Sequence, residues 1–167
     1  MKPRILYHCS GRDHGPVLVV ERRTPRYPDK GEPGVPRLCA APSVAACFAA
    51  RLFYRRPVFV YRTRRPVRGI TPRGVWDSAI TGERWIIPPA DLILDRVIPA
   101  DVAWRICRPF HEFHSRTGKK SNVNLRLRQY RLALEILGGE PWETELVRAF
   151  FDCWARRRTA TGRIGHG

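Results

Sequence analysis

Near its midpoint the chain reads Ala79-Ile80-Thr81-Gly82-Glu83-Arg84-Trp85-Ile86-Ile87. The Thr-Gly pair favours a turn, and the apolar residues that follow predict a short buried strand. A second apolar run, Leu92-Ile93-Leu94, follows after Pro88-Pro89. Glu83 is therefore a single acid directly before a predicted strand. From such a position a site can present one carboxylate to a ligand. This position makes Glu83 a candidate site residue.

A second polar strand end lies near the beginning of the chain. Ile5-Leu6-Tyr7 leads into His8 and Ser10, and Gly11 follows. An apolar run of this length that is bounded by glycine is typical of a strand. Each segment alone is a weak signal, because strand-end histidines and turn carboxylates are common without activity. Together they predict an enzyme site between two strand ends.

The rest of the first hundred residues predicts further strands and one helix. Ser43 is a good N-cap for a helix that runs from Val44 to Tyr54, and Pro57 ends it. The proline-rich segment 22–36 predicts an exposed loop. The predicted strands are Arg4–His8, Val17–Glu21, Arg37–Ala41, Val58–Tyr61, Trp85–Ile87 and Leu92–Ile98.

The last third of the chain is helical in pattern. One helix is predicted to end at Leu137, where Gly138-Gly139 follows. Another is predicted to begin near Pro141, because proline suits the first turn of a helix. We therefore predict an α+β protein with a compact sheet core over residues 1–103 and a basic helical extension over residues 104–167.

Composition bounds the class of protein. The chain has 167 residues, of which 43% are hydrophobic, so it can bury a substantial core. No apolar stretch approaches the roughly 20 residues of a membrane helix, and no signal peptide is recognised. The cysteines are odd in number and widely spaced, which argues against a disulfide framework and a four-cysteine zinc site. A cytoplasmic setting is expected. The cysteines are Cys9, Cys39, Cys47, Cys107 and Cys153.

The charge is strongly basic. The formal net charge is +16, and 27 of the 31 cations are arginine. Such a charge predicts attraction to polyanions, with nucleic acid as one candidate partner. A solvated basic surface and an acidic protein partner are the alternatives. The residues predicted to contact nucleic acid are Arg55, Arg56, Arg64, Arg65, Arg126, Arg128 and Arg131.

The order of these segments resembles the ADP-ribosyltransferase fold, especially its small bacterial members such as the rifamycin-modifying branch. The likeness covers residues 4–100. It rests on Tyr7-His8-Cys9-Ser10, on Leu38-Cys39-Ala40-Ala41-Pro42-Ser43 and on Thr81-Gly82-Glu83-Arg84-Trp85. The resemblance implies a split β-sheet core, NAD as the substrate that supplies ADP-ribose, and a macromolecular acceptor.

The resemblance also implies a role for each matching residue. His8 would hold a ribose of NAD, and Ser10 would help to hold the nicotinamide amide. Glu83 would stabilise the positive charge that forms on the sugar as nicotinamide leaves. Ser43 would replace a family serine beside the nicotinamide, and Tyr54 would supply the aromatic ring.

Two departures from the family pattern leave the reaction open. The second strand carries no aromatic residue, and Thr81 stands two residues before Glu83, where a Glu-x-Glu motif would have its first acid. The acceptor therefore need not be arginine. Transfer to another nucleophile, hydrolysis of NAD and an inactive site all remain alternatives.

Other classes of site are less well supported. Cys107, His111 and His114 would share one face of a helix and could hold zinc, but packed or surface histidines are the simpler interpretation, and we predict no metal. No Rossmann, P-loop or serine-hydrolase motif is present. The rival to an enzyme is a non-catalytic nucleic-acid-binding or assembly protein that uses the same scaffold. The sequence leaves the oligomeric state open.

Overall fold

The computed structural model describes residues 2–20, 36–53, 55–72, 78–118 and 123–139. The fold is α+β, as predicted. In chain order the elements are β1 (Tyr7–Ser10), β2 (Val17–Val20), β3 (Leu38–Ala40), α1 (Val44–Ala50), β4 (Val58–Thr63), α2 (Ser78–Thr81), β5 (Arg84–Ile86), β6 (Ala90–Ile98), α3 (Ala100–Thr117) and α4 (Val123–Leu137).

The strands form two sheets that meet at one edge. The larger sheet is antiparallel in the order β1-β4-β6-β2, and β3 pairs with β5 in the smaller one. Tyr7 and Ala41 join the two sheets by exchanging backbone hydrogen bonds, each 2.7 Å long. This junction brings the predicted site segments around residues 8, 39 and 83 close together.

Helix α1 begins where the sequence predicts, but it ends before the predicted residue. Ser43 has extended backbone angles and its Oγ accepts a hydrogen bond from the Ala46 N–H (3.2 Å), so its role as N-cap is confirmed. The predicted end at Tyr54 is wrong, because Arg51 is already extended. The Arg126 guanidinium donates to the carbonyl oxygens of Ala49 (2.9 Å) and Ala50 (3.0 Å), and these contacts satisfy the last turn of α1.

Helices α3 and α4 belong to the same core as the sheet. Ile106 of α3 and Leu127 and Tyr130 of α4 pack in one buried cluster with Phe48 of α1 and Val60 of β4. The predicted boundary at residue 103 falls inside α3, and this cluster extends across it. The predicted end of α4 at Leu137 is confirmed.

A second cluster fills the space between the two sheets. Leu6, Leu18, Tyr61, Ile86 and Leu92 are all buried there. Within the part of the chain that the structure describes, no helix is long and apolar enough to cross a membrane. The predicted helix near Pro141, nearly all of the predicted loop 22–36 and Tyr54 lie outside the described residues.

Candidate active site

The Thr-Gly-Glu turn holds Glu83 at the start of β5. Gly82 has a φ of 62°, a conformation that side chains other than glycine rarely adopt. The Glu83 N–H donates to Thr81 Oγ1 at 3.3 Å, which closes the turn. The Trp85 indole Nε1–H donates to Glu83 Oε1 at 2.9 Å. The backbone and the carboxylate of Glu83 are therefore both held by neighbouring side chains.

Trp85 is itself fixed by its surroundings. Its side chain is buried, and the guanidinium of the buried Arg37 lies 4.0 Å from the ring centroid. A cation over an indole face is a favourable contact. Cys39 is the cross-strand partner of Trp85, and the negative charge of the Glu83 carboxylate acts on its thiol. Glu83 thus interacts with side chains from both strands of the small sheet.

His8 lies on β1 of the larger sheet and is held in one orientation. Its Nδ1 lies 2.8 Å from the Cys39 carbonyl oxygen, so Nδ1 carries the proton and donates. Burial, with a smaller contribution from the positive charge of Arg51, lowers the pKa of His8 to about 4. The imidazole is therefore neutral near pH 7, and its Nε2 has an acceptor lone pair.

The imidazole and the carboxylate line one cleft. Its volume is about 100 Å³, and its polar lining comes from His8, Cys39, Arg51, Thr81 and Glu83. A cleft of this size is smaller than the roughly 300–1,000 Å³ typical of ligand pockets. It can hold one ring of a larger ligand, so the rest of such a ligand needs adjoining space.

Adjoining space is present beside Arg51. A second pocket of about 330 Å³ is lined by Ser10, Gly11, Arg12, Arg51, Leu52, Phe53 and Arg56. Arg51 lines both spaces, so the cleft and the pocket are neighbours. His8 and Ser10 lie on the same strand, and each faces one of the two spaces.

The thiols of Cys9 and Cys39 in the cleft are protonated. Burial and the neighbouring Glu83 carboxylate raise the pKa of the Cys39 thiol above its ordinary value. Burial and the neighbouring Cys47 raise the pKa of Cys9 as well. Because a thiolate is the nucleophilic form of cysteine, these protonated thiols are poor nucleophiles. The candidate catalytic group of the cleft is therefore Glu83.

Compared with protein-family models, with curated proteins and with solved structures, the chain has no match. Its function must therefore be inferred from the geometry of its own side chains.

The structure separates the predicted cofactor-binding residues. His8 and Glu83 share the cleft, and Ser10 lines the adjoining pocket. Ser43 caps α1 and is not among the residues that line the cleft. Tyr54 lies outside the described residues.

Sequence reasoning missed several residues of the site. Trp85 could have been found, because residues two apart in a strand share a face and Trp85 stands two residues after Glu83. Arg51 and Arg12 could not, because nothing in the local sequence distinguishes them from the other arginines.

The predicted nucleic-acid arginines divide into two groups. Arg126 caps α1, Arg64 pairs with Asp91 at 3.1 Å and Arg131 pairs with Glu135 at 2.7 Å. Arg55 lies 5.0 Å from the Trp104 ring centroid. The other three, Arg56, Arg65 and Arg128, are exposed and form no ion pair with another described residue.

Two other features of the described residues do not form a convergent site. A shallow depression of about 530 Å³ is lined by Trp104, His111, Glu112, Ser115 and Arg116, all from α3. The predicted helical face of Cys107, His111 and His114 is real, but Cys107 lies in the core, where the Phe53 N–H donates to its Sγ. Among the described residues, no group of three or more potential ligands is arranged for a metal ion.

The depressed pKa of His8 predicts a pH-dependent stability. The folded pKa of about 4 lies below the ordinary value of 6.5, so the unfolded chain takes up the proton first as the pH falls. His8 therefore contributes stability above pH 6.5 that is lost as the pH falls towards 4. Because the ring is partly exposed, we expect a loss of about 2 kcal/mol.

Urea unfolding of the parent and of His8→Gln, at about pH 7.5 and about pH 4, measures this contribution. The variant removes the imidazole that titrates and leaves all carboxylates and the other histidines in place. We expect the stability difference between the two proteins to shift by about 2 kcal/mol between the two pH values. An equal difference at both pH values would show that His8 is not desolvated.

Proposed function

We propose that the protein is an NAD-dependent ADP-ribosyltransferase with a split-sheet core like that of the ADP-ribosyltransferases. Its acceptor is an anionic macromolecule, and the net charge of +16 favours nucleic acid. One observation carries the proposal. A neutral imidazole from the first strand and a carboxylate from the middle of the chain line the same cleft.

The residues present fit a dinucleotide in size and chemistry. The cleft of about 100 Å³ accepts one ring, and the adjoining pocket of about 330 Å³ accepts the groups attached to that ring. The His8 Nε2 lone pair and the Glu83 carboxylate are acceptors, as the hydroxyl groups of a ribose require. The arginines of the adjoining pocket are suited to a phosphate.

Glu83 supplies electrostatic stabilisation where positive charge develops. When bound, NAD supplies a glycosidic C–N bond whose cleavage leaves positive charge on the ribose. A carboxylate beside that sugar acts more strongly in the transition state than in the ground state. The hydrogen bond from Trp85 holds the Glu83 carboxylate in place before the reaction. A fixed group does not need to reorganise as the charge forms.

His8 orients the sugar without adding charge. Its Nδ1–H is committed to the Cys39 carbonyl oxygen, so Nε2 can accept a hydrogen bond from a ribose hydroxyl. The low pKa keeps the ring neutral near pH 7. A protonated imidazole would repel the positive charge that develops on the sugar, so the neutral form suits the reaction.

Glu83 can also receive the proton of the acceptor. A carboxylate accepts about four hydrogen bonds, so Glu83 can keep its bond from Trp85 while it takes a proton from an incoming nucleophile. The proton then passes to solvent. Thr81 occupies the position of the first acid of a Glu-x-Glu motif, and its hydroxyl closes the turn. The site therefore carries no second acid there to select an arginine acceptor.

Release of nicotinamide from NAD tests the proposal directly. The purified protein would be incubated with NAD alone and with single-stranded DNA, RNA or an acidic protein, and nicotinamide would be measured by chromatography. We expect release that increases with one acceptor class and ADP-ribose attached to that acceptor. Release without attachment would identify an NAD hydrolase. No release under any condition would exclude the transferase.

The Trp85→Phe variant tests how Glu83 is held. Phenylalanine keeps an aromatic ring beneath Arg37 but removes the Nε1–H that donates to Glu83 at 2.9 Å. A hydrogen bond to a charged group contributes about 1.5–3 kcal/mol, so we expect nicotinamide release to fall at least about tenfold.

Trp104→Phe on α3 is the matched control, because it makes the same change away from the cleft. Its release of nicotinamide should equal that of the parent. If Trp85→Phe released nicotinamide as fast as the parent, the indole would not position Glu83.

A non-catalytic nucleic-acid-binding protein is the second candidate. The observation that favours it is the set of exposed arginines without a described acid partner, such as Arg56, Arg65 and Arg128. This function predicts binding of DNA or RNA that weakens steeply with salt, with no release of nicotinamide. Binding measured at two salt concentrations, beside the nicotinamide measurement, separates the two functions.

A further inference from the structure

Three arginines from separate parts of the fold converge on the pocket beside the cleft. Arg12 follows β1, Arg51 follows α1 and Arg56 precedes β4. Among the described residues, no acidic side chain lines this pocket. Within the described residues, none of the three arginines forms an ion pair. The pocket therefore concentrates positive charge that the described residues do not neutralise.

The loop that carries Arg12 is held in place by its own hydrogen bonds. The Arg12 N–H donates to Ser10 Oγ at 3.1 Å, and the His14 N–H donates to the Tyr61 hydroxyl at 2.8 Å. Asp13, the next residue in the chain, accepts hydrogen bonds from the Gly15 N–H at 2.7 Å and from the Tyr61 hydroxyl at 3.4 Å. Its carboxylate is thus engaged with its own loop and with β4.

Arg51 is also held in place by its own contacts. Its backbone N–H donates to the Cys47 carbonyl oxygen at 3.0 Å as the C-cap of α1, and its guanidinium lies 5.7 Å from the Phe53 ring centroid. Because Arg51 also lines the cleft of His8 and Glu83, a group bound in the pocket is adjacent to a group bound in the cleft.

Like charges gathered in one pocket repel each other, and a bound anion relieves that repulsion. Guanidinium groups bind phosphate oxygens through paired hydrogen bonds, which makes arginine the preferred partner of phosphate. A volume of about 330 Å³ is ample for a diphosphate. Cleft and pocket together match a sugar with a diphosphate attached to it.

We propose that Arg12, Arg51 and Arg56 form a binding site for the diphosphate of a nucleotide. The site rests on the geometry of the pocket and does not require that the cleft transfer ADP-ribose. Together with the proposed function, it assigns the groups that hold the diphosphate of NAD beside His8 and Glu83.

Calorimetric binding of ADP, inorganic pyrophosphate and adenosine tests the site. We expect ADP and pyrophosphate to bind and adenosine to bind at least about 100-fold more weakly, since it lacks the phosphates. Arg51→Gln should weaken ADP binding at least about tenfold, and Arg12→Gln and Arg56→Gln should also weaken it. Arg128→Gln, an exposed arginine on α4, is the matched control and should bind ADP as the parent does.

The binding measurements decide whether the pocket is a diphosphate site. The site is excluded if the folded parent binds neither ADP nor pyrophosphate, or if all three pocket variants bind ADP as the parent does. It is also excluded if the three variants lose only oligonucleotide binding, because the pocket would then hold a nucleic-acid backbone. ADP binding through these arginines without release of nicotinamide from NAD would support the pocket and reject the transferase. Release of nicotinamide without ADP binding would support the transferase and reject the pocket.

Discussion

Replacing Glu83 with glutamine is expected to lower nicotinamide release from NAD by at least about 100-fold. Glutamine has nearly the same shape, and its amide oxygen can still accept the hydrogen bond from Trp85 Nε1. The variant therefore removes the negative charge and little else. A group that acts mainly in the transition state shows its loss in the rate of reaction. The rate of nicotinamide release at saturating NAD measures this effect.

Glu135→Gln is the matched control for this prediction. Glu135 is exposed on α4 and pairs with Arg131, so the same chemical change there should leave the rate unaltered. Glu135→Gln should unfold at about the same urea concentration as the parent, because exposed substitutions usually change stability by less than about 0.5 kcal/mol. Glu83 is only partly exposed, so the unfolding midpoint of Glu83→Gln is measured as well, to separate a loss of rate from a loss of folded protein. Equal rates for Glu83→Gln and the parent would reject Glu83 as the catalytic carboxylate.

Local chemistry made part of the fold predictable. The turn at Gly82, the cap at Ser43 and the end of α4 before Gly138 each follow from the conformational preference of one or two residues. The strands around the candidate site were predicted within a few residues from their apolar runs. These features need no knowledge of distant parts of the chain.

The contacts that build the site were not predictable in the same way. The bond from His8 Nδ1 to the Cys39 carbonyl oxygen depends on how two sheets meet. The end of α1 depends on Arg126, which reaches its last carbonyl oxygens from α4. Such contacts join residues far apart in sequence, so neither periodicity nor composition contains them.

The charge of the chain illustrates the same limit. Composition predicts a basic surface, but it does not show which arginines have structural contacts. Arg126 caps a helix, and Arg64 and Arg131 form ion pairs, although all three were predicted to contact nucleic acid. Arg51 and Arg12 were not predicted, yet they line the pocket beside the cleft. Only the arrangement in space separates these groups.

The shared core of α1, α3 and α4 predicts that a change in α4 will destabilise the site as well. Leu127 is 1% exposed and packs in the cluster that also holds Phe48 and Cys47 of α1. Removing a buried leucine side chain leaves a cavity and costs about 2–5 kcal/mol. Because α1 carries residues of the cleft, we expect Leu127→Ala to lower the unfolding midpoint of the helices and of the site together.

Urea unfolding followed by far-ultraviolet circular dichroism and by nicotinamide release measures this coupling. For Leu127→Ala we expect both signals to change at one midpoint, which lies at a lower urea concentration than that of the parent. The free energy of unfolding should be about 2–5 kcal/mol smaller than that of the parent. Val123→Ala is the matched control on the same helix. Val123 is 37% exposed, so its truncation should change stability by less than about 0.5 kcal/mol. Two separate midpoints in Leu127→Ala would show that α4 folds apart from the sheet, and the core would then divide near the boundary that the sequence predicts.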